Sequence, residues 1–592
     1  MTTSSTKSRG NARRSQRAAA PGSKRSELPT APPAADLSTR SWLIAAGSIF
    51  AVGAFLRLYD LALVPLHHDE GVNGNFLVRL VRDGFYQYDP ANYHGPTLYY
   101  FSAIIPWTIR YLFGVNAQNA YGLTTWNIRL VPALFGLGTI GLVLSLRRQL
   151  GTISVLAAAA LLAVSPGAVY LSRYFIHESL FVFFTFGIVV AGLRYHEERH
   201  PVYLILLAAS AGLLFATKET WIISVGVLII ALASTHIYRG IWRQLVSESL
   251  DGWTSQKPRP ALSDRVAEIV DRFGGPLMLI VSLLSAIAVC VAIGLLFYSS
   301  FGTNWKGVGD SVKTFEVWTR TGRDAHVHPF LTYVIRWLPY QESPVLFLGV
   351  IGFVLILLKP KNAVVLFVGL WAFGITAAYS LVHYKTPWLL LNFVVPLALI
   401  SGYAFEWLYQ QVRAYQVSWA VGVLAVVALW FVASGAAPNL ALFDHDKPNN
   451  WMTVIPGYQT LDLNFQNYDN DNDYYVYVYA HSRRDLIKLV DDVNRVAQRS
   501  AKPGETGITI VSNEYWPLPW YFRDYQRVGY YGVMSASSEP VIIARDDQRS
   551  QMQASFGGRY RLVESGLNDR GTFALRPGVD LLLYVRNDFP AP

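Results

Sequence analysis

Leu66-His67-His68-Asp69-Glu70-Gly71 follows closely on the first long apolar run, Trp42 to Tyr59. Two adjacent carboxylates beside two imidazoles, set where a transmembrane helix leaves the bilayer, are costly for fold alone and point to chemistry at a membrane surface. The surrounding composition agrees. Of 592 residues, 52% are hydrophobic and 15% charged, against about 25% charged in a soluble domain. Several runs reach the roughly 20 apolar residues that cross a bilayer. The one cysteine, Cys290, lies inside an apolar run, which excludes a disulfide framework and a cysteine metal site. The net charge of +10 gathers in the N-terminal tail and between the apolar runs, so it reads as membrane topology and not as a nucleic-acid surface.

Residues 1–40 carry Lys7, Arg9, Arg13, Arg14, Arg17, Lys24, Arg25 and Arg40 against Glu27 and Asp36, with too few apolar side chains to bury a core. They read as a disordered basic cytoplasmic tail. The apolar run continues past Phe55, longer than a cleaved signal needs, so the first span is a signal anchor with a cytoplasmic N-terminus. That orientation delivers the His-His-Asp-Glu stretch to the outer face.

Positive charge then fixes the rest. Trp126 to Leu146 ends in Arg147-Arg148 and runs inward. Parity leaves no room for a single crossing before it, so Pro96 to Phe113, interrupted by Pro106, Trp107 and Arg110, reads as interfacial or re-entrant. Ile153 to Leu171 goes out and Ser179 to Leu193 returns. Val202 to Thr217 reaches a tight outer turn at Lys218-Glu219, and Trp221 to Tyr238 comes back to a basic cytoplasmic segment, Arg239 to Arg272. Pro276 to Tyr298, Val345 to Leu358, Ala363 to Leu381, Trp388 to Leu408 and Ser418 to Ala436 complete about eleven spans, an odd number that puts the C-terminal part outside. The polar loop 299–343 is long enough to act as an external lid.

Three parts follow: the tail 1–40, a transmembrane domain 41–437 with its first external loop at 60–125, and a soluble extracytoplasmic domain 438–592. In the last, Tyr474 to Tyr479, Gly507 to Ser512 and Val541 to Ala544 read as strands and Arg484 to Ala497 as an amphipathic helix, which gives a small α/β domain. Its turn Glu514 to Tyr521, rich in Tyr, Trp and Pro, reads first as packing and second as a sugar or membrane contact.

Four polar clusters fall on the outer face: His67 to Glu70 with His94, Arg173 to Glu178, Lys218-Glu219, and His383-Tyr384-Lys385. Acids and bases gathered at one membrane surface suit a reaction on a lipid-borne phosphate. A carboxylate accepts the proton of an acceptor hydroxyl, and Lys385 and Arg173 neutralise the departing phosphate.

Arg57, Pro65 and His68-Asp69-Glu70 resemble the opening signature of the GT-C glycosyltransferases, and within them the protein O-mannosyltransferase and aminoarabinose-transferase branch. Arg173 to Glu178 and Tyr384-Lys385-Thr386-Pro387-Trp388 resemble further segments of that branch, with Glu178 where its members have Asp and His94-Gly95-Pro96 where some have Lys before Pro. The stretch from Asp69-Glu70-Gly71 to Tyr93-His94-Gly95-Pro96 is still more similar to a GT-C-like family of archaea and Chloroflexi-type bacteria, some of whose members are called flippase-associated. The resemblance covers roughly Trp42 to Trp407 and implies an α-helical polytopic membrane protein with about 11 to 13 transmembrane helices.

It also implies transfer of a sugar from a polyprenyl-phosphate-linked donor to a lipid, glycan or protein acceptor outside the cytoplasmic membrane. Asp69 and Glu70 are then the catalytic candidates, and Arg57, His68, His94, Arg173, His177, Glu178, Lys218 and Lys385 the substrate-binding candidates. The alternative is a non-catalytic helper or flippase-associated protein that binds or translocates lipid-linked sugars.

Plainer roles stand beside these. Asp69 and Glu70 can cap the helix that follows, Arg173 and Glu178 can form an interfacial pair, Lys385 can snorkel, and Lys218-Glu219 can be structural. His68, Asp69 and Glu70 can also hold a divalent metal, although their spacing does not match a closed site. Gly136-Leu137-Gly138-Thr139-Ile140-Gly141 fits a dinucleotide pattern but lies within a span, where glycine serves helix packing. Asp469 to Asp473 begins like a calcium loop, yet Tyr474 stands where that loop needs glycine.

Overall fold

The computed structural model describes residues 37–92, 94–114, 122–250, 273–324, 327–414, 457–469, 475–500, 502–564 and 571–590, with positions 267, 270 and 271. The tail before residue 37, most of 251–272, the span expected at Ser418 to Ala436 and most of the calcium-like stretch lie outside the described residues.

The first half is helical: α1 (Thr39–Leu58), α2 (His68–Asp83), α3 (Thr97–Phe113), α4 (Thr125–Ser145), α5 (Thr152–Val164), α6 (Pro166–Ser172), α7 (Glu178–Glu198), α8 (Pro201–Phe215) and α9 (Trp221–Leu250). Then come α10 (Pro276–Tyr298), α11 (Lys306–Asp324), a helical turn from Thr332 to Gln341, α12 (Ser343–Leu358), α13 (Ala363–Leu381) and α14 (Leu391–Ala414).

Among the described residues, seven helices are long and apolar enough to cross a membrane, and up to nine if each of two bent pairs is one span. The expected run Ile153 to Leu171 is one of those pairs. It breaks at Ser165-Pro166 with a 60° bend, because Pro166 has no N–H to continue α5 and instead opens α6 under a Ser165 cap. The segment from Pro96 forms a continuous helix, α3, with Pro106 inside it. Leu277, Met278, Ile280, Leu284 and Ile287 of α10 all face outward. A solvated protein does not expose such a patch, whereas lipid covers it. α14 is enclosed by α5, α12 and α13 and forms the centre of the bundle. The protein is a multi-pass membrane protein with a C-terminal α/β domain.

That domain holds α15 (Asp485–Gln498), β1 (Ile508–Ile510), β2 (Val528–Tyr530), β3 (Val541–Arg545), α16 (Arg549–Phe556), β4 (Tyr560–Leu562), β5 (Phe573–Arg576) and β6 (Val579–Arg586). The sheet order is β2-β1-β3-β6-β4, with β5 also on β6. β1 is parallel to β2 and β3, and β6 is antiparallel to its neighbours. Two expected strands and the amphipathic helix form as read. Tyr475 to Tyr479 does not form a strand: Tyr477 turns to Glu342 of the helical domain, and Tyr475 bonds Asp462 of the preceding segment.

Candidate active site at the first turn of α2

The segment Leu61 to Leu66 joins α1 to α2, and its buried carbonyls need donors. Arg129, inside the apolar α4, supplies them: its guanidinium donates to the carbonyls of Leu61 (2.9 Å), Val64 (2.8 Å) and Pro65 (3.3 Å). Its remaining donors form a fork on Glu70, Nε to Oε1 at 2.7 Å and Nη2 to Oε2 at 2.6 Å, with both side chains about 1% exposed. Glu70 also accepts the backbone N–H of His67 (3.0 Å), closing the capping box of α2, and that of Phe175 (2.7 Å). Asn73, one turn on, donates to the Phe175 carbonyl at 3.0 Å. Glu70 and Asn73 thereby hold the segment between α6 and α7 against α2.

The adjacent carboxylates thus part company. Asp69 is 43% exposed on its side chain and makes no side-chain hydrogen bond among the described residues, with His67 Nδ1 at 3.9 Å. It lines a cavity of about 510 Å³ together with His68, Asn73, His94, Glu178, Lys218, Glu219, Tyr379, Tyr384 and Trp388, closed on one side by Trp318 and Thr319 of α11. Residues from all four polar clusters meet there, and the lid segment contributes a wall.

Close backbone approach brings the clusters together. Gly95 N–H donates to the Thr217 carbonyl at 3.0 Å, and a Cβ at Gly95 would lie 2.1 Å from the Ala216 oxygen. His177 Nε2 donates to the Gly95 carbonyl at 2.9 Å. These bonds set His94 beside the α8–α9 turn, where its Nδ1 meets Glu219 Oε2 at 3.1 Å. Lys218 Nζ donates to Glu178 Oε1 at 2.6 Å. Burial opposes the charge on Lys218, but the Glu178 and Glu219 carboxylates outweigh it and hold its pKa above the ordinary lysine value.

Five expected site residues lie outside this cavity. Glu70 is held by Arg129. Arg57 is 1% exposed and ties α1 to the end of α5 through the carbonyls of Leu162 (2.9 Å) and Ala163 (3.1 Å). Arg173 closes the C-terminus of α1 on the carbonyls of Leu56 (3.2 Å), Tyr59 and Asp60 (2.8 Å). His177 is buried behind Gly95. Lys385 caps α13 through the carbonyls of Ser380 (3.0 Å) and Val382. Arg57, Arg173 and Lys385 each donate to backbone carbonyls in this arrangement.

The metal set His68, Asp69 and Glu70 does not converge either, since Arg129 takes both Glu70 oxygens. Among the described residues no group of three or more His, Cys, Asp or Glu side chains is arranged to hold a metal ion. Gly136 serves helix packing, as read: a Cβ there would lie 2.2 Å from Ser172 Oγ.

Arg129 went unread in the sequence, although an arginine inside an apolar run requires a buried partner and was itself a signal. The C-terminal domain's share was also missed. Its aromatic turn packs on α2, with Trp520 1% exposed against Gly74 and Tyr521 OH accepting the Leu66 N–H at 2.9 Å. Arg576 at the end of β5 reaches His68.

The family described as dolichyl-phosphate-mannose-protein mannosyltransferase matches residues 103–248. Protein O-mannosyl-transferase 1 of Danio rerio is 26% identical over 216 residues, a match that spans 34% of this chain and 29% of that protein. ArnT from Cupriavidus metallidurans bound to undecaprenyl phosphate superposes with a TM-score of 0.57 at 14% identity, covering 92% of this chain and 98% of that one. Its apo state gives 0.54 at 15% identity with the same coverage.

Proposed function

We infer, from the GT-C membrane fold in which this chain is built, that it transfers a sugar from a polyprenyl-phosphate-linked donor to a hydroxyl-bearing acceptor on the outer face of the cytoplasmic membrane. The N-terminus is cytoplasmic and the C-terminal domain extracytoplasmic. The observation that carries the reading is Asp69: it is the half-exposed carboxylate of a cavity assembled from four sequence-distant polar clusters. ArnT, the superposed relative, is bound to undecaprenyl phosphate, which supports a lipid phosphate as the donor's carrier.

In the step proposed, the acceptor oxygen attacks the anomeric carbon as the bond from that carbon to the phosphate oxygen breaks. The acceptor proton passes to Asp69, and polyprenyl phosphate leaves with the bonding electron pair. Lys218 stands at the cavity wall to meet the leaving phosphate, and His94, anchored by Glu219, faces the same space. Glu70 acts by fixing the helix that carries Asp69.

The test is transfer from radiolabelled polyprenyl-phosphate mannose in membranes containing the full chain. Asp69→Asn is expected to remove at least about 100-fold of the rate, the ordinary contribution of a positioned base, while donor binding persists. Full transfer by Asp69→Asn would refute the reading, as would binding of the donor by the wild-type chain with no release of polyprenyl phosphate.

A further inference from the structure

His68 lines the cavity beside Asp69, and its ring is met from above by the C-terminal domain. Arg576 Nη1 lies 3.2 Å from His68 Nδ1, and the other arm of the same guanidinium is paired with Glu514. The direction of that first bond is fixed by chemistry. Arginine has five donors and no acceptor, so Nδ1 must accept. A ring whose Nδ1 accepts is neutral and carries its proton on Nε2.

Nε2 of His68 has no hydrogen-bond partner among the described residues, and it is not sealed among the buried orphan atoms. Trp516 flanks the ring, the centroids 6.1 Å apart. A Cβ on Gly71, three residues along α2, would lie 2.5 Å from Pro517 Cβ. The aromatic turn and β5 therefore hold the first turn of α2 as a pair, one by packing and the other through the imidazole.

We propose that Arg576 is a positioning residue that holds His68 as its neutral Nε2–H tautomer, so that the C-terminal domain supplies the cavity with a fixed hydrogen-bond donor for an oxygen of the lipid-linked sugar. This rests on the transferase reading for the identity of the ligand, but not for the tautomer. The domain is then part of the site. Without Arg576 the ring is free to exchange its proton between the two nitrogens and to turn, and the donor is presented in only a fraction of molecules.

The full chain, labelled with 15N-histidine and placed in lipid nanodiscs, reports the tautomer directly through its ring-nitrogen resonances, with His68→Gln identifying the signal. The wild-type chain is expected to show His68 in one form, protonated at Nε2. Arg576→Met is expected to give mixed forms, and Arg576→Lys, which restores a donor, to recover the single form. A His68 protonated at Nδ1 in the wild-type chain, or a spectrum unchanged in Arg576→Met, overturns the proposal. Melting curves of both variants show whether the fold persists, and the lysine variant keeps the test alive if the methionine variant unfolds.

Binding of two probes locates the oxygen. An affinity loss in Arg576→Met for undecaprenyl phosphate alone, equal to the inverse of the fraction of rings that still present the donor, points to a phosphate oxygen. A loss seen only with undecaprenyl-phosphate mannose points to a sugar oxygen. No loss with either removes the role in binding. A wild-type chain that transfers no sugar defeats the transferase reading, while the tautomer result, which needs no turnover, still stands or falls by itself.

Discussion

Glu70→Ala separates a framework carboxylate from a catalytic one. The substitution leaves Arg129 buried without its counter-ion and removes the acceptors of the His67 and Phe175 N–H groups. Breaking a buried pair by deleting one partner costs about 3–5 kcal/mol, and each orphaned amide adds about 1–3 kcal/mol where water cannot reach it. Against a total stability of about 5–15 kcal/mol, the loss is large enough to lower the melting temperature of the detergent-solubilised chain markedly. Asp69→Asn, at a half-exposed position without a side-chain hydrogen bond, is expected to change it by no more than about 0.5 kcal/mol. The double variant Glu70→Gln with Arg129→Met removes the stranded charge but leaves the Leu61, Val64 and Pro65 carbonyls without their donor, so it should be no more stable than Glu70→Gln alone. Thermal unfolding of the four variants and the wild-type chain, run beside the transfer assay, decides the matter. Glu70→Ala that melts like the wild-type chain yet has lost transfer would refute the framework role and return Glu70 to the chemistry.

Further outcomes follow from the same geometry. Gly95→Ala places a Cβ against the Ala216 oxygen, so the His94 loop must lift from the α8–α9 turn; transfer should fall by at least about tenfold, and an unchanged rate would count against that packing. Lys218→Met should raise the donor KM more than it lowers kcat if Lys218 meets the phosphate in the bound state, and it strands Glu178, so the kinetics must be read beside a melting curve. Gly71→Val drives a side chain into Pro517 and should raise hydrogen exchange across 514–524, as measured by mass spectrometry. Acidification should loosen the same contact. Burial holds His68 below the ordinary histidine value, Arg576 and His67 push the same way, and Asp69 and Glu514 oppose them. A depressed histidine pKa gives stability that is complete above about pH 6.5 and lost as pH falls toward the folded value. Exchange at 514–524 that stays flat down to about pH 5 would contradict it.

Much of this arrangement was legible in the chain. Charge and parity place residues as distant as Asp69, Lys218 and Tyr384 on one face, and the structure brings them to one cavity. Among the described residues the seven candidate spans and two bent pairs fall on nine of the eleven expected crossings, and the short α8 falls on a tenth. What sequence reasoning missed was direction. Asp69 and Glu70 are neighbours, so on a helix they point about 100° apart; only the position of Arg129 decides which of them turns inward. Arg173 and Lys385 have the charge a phosphate site needs, but each lies within reach of a helix C-terminus, whose unpaired carbonyls compete for the same donors. The Tyr475 to Tyr479 run alternates like a strand because Tyr475 and Tyr477 are buried, and what buries them is the helical domain together with the segment around Asp462. No local pattern distinguishes that surface from a sheet neighbour.

The helix that carries Asp69 is held from three sides, and this bears on where the site can change. α4 grips it through Arg129 and Glu70, the α6–α7 segment through Phe175, and the C-terminal domain through Trp520, Tyr521 and Arg576. A carboxylate fixed in this way is organised before substrate arrives, and rigid placement is where proximity and orientation gain most of their effect. The opposite wall differs. Trp318 and Thr319 stand on α11, an amphipathic helix with Val312 exposed and Thr314 bonded to Tyr88 of the segment between α2 and α3. Val312, Lys313, Glu316 and Thr319 of that helix face outward, so it is the less buried of the two walls. Substitutions on α2 should therefore abolish transfer, whereas Trp318→Ala should mainly alter which acceptor is admitted. A panel of acceptors assayed against that variant tests the division of labour: a uniform loss across the panel would show that α11 belongs to the rigid frame as well.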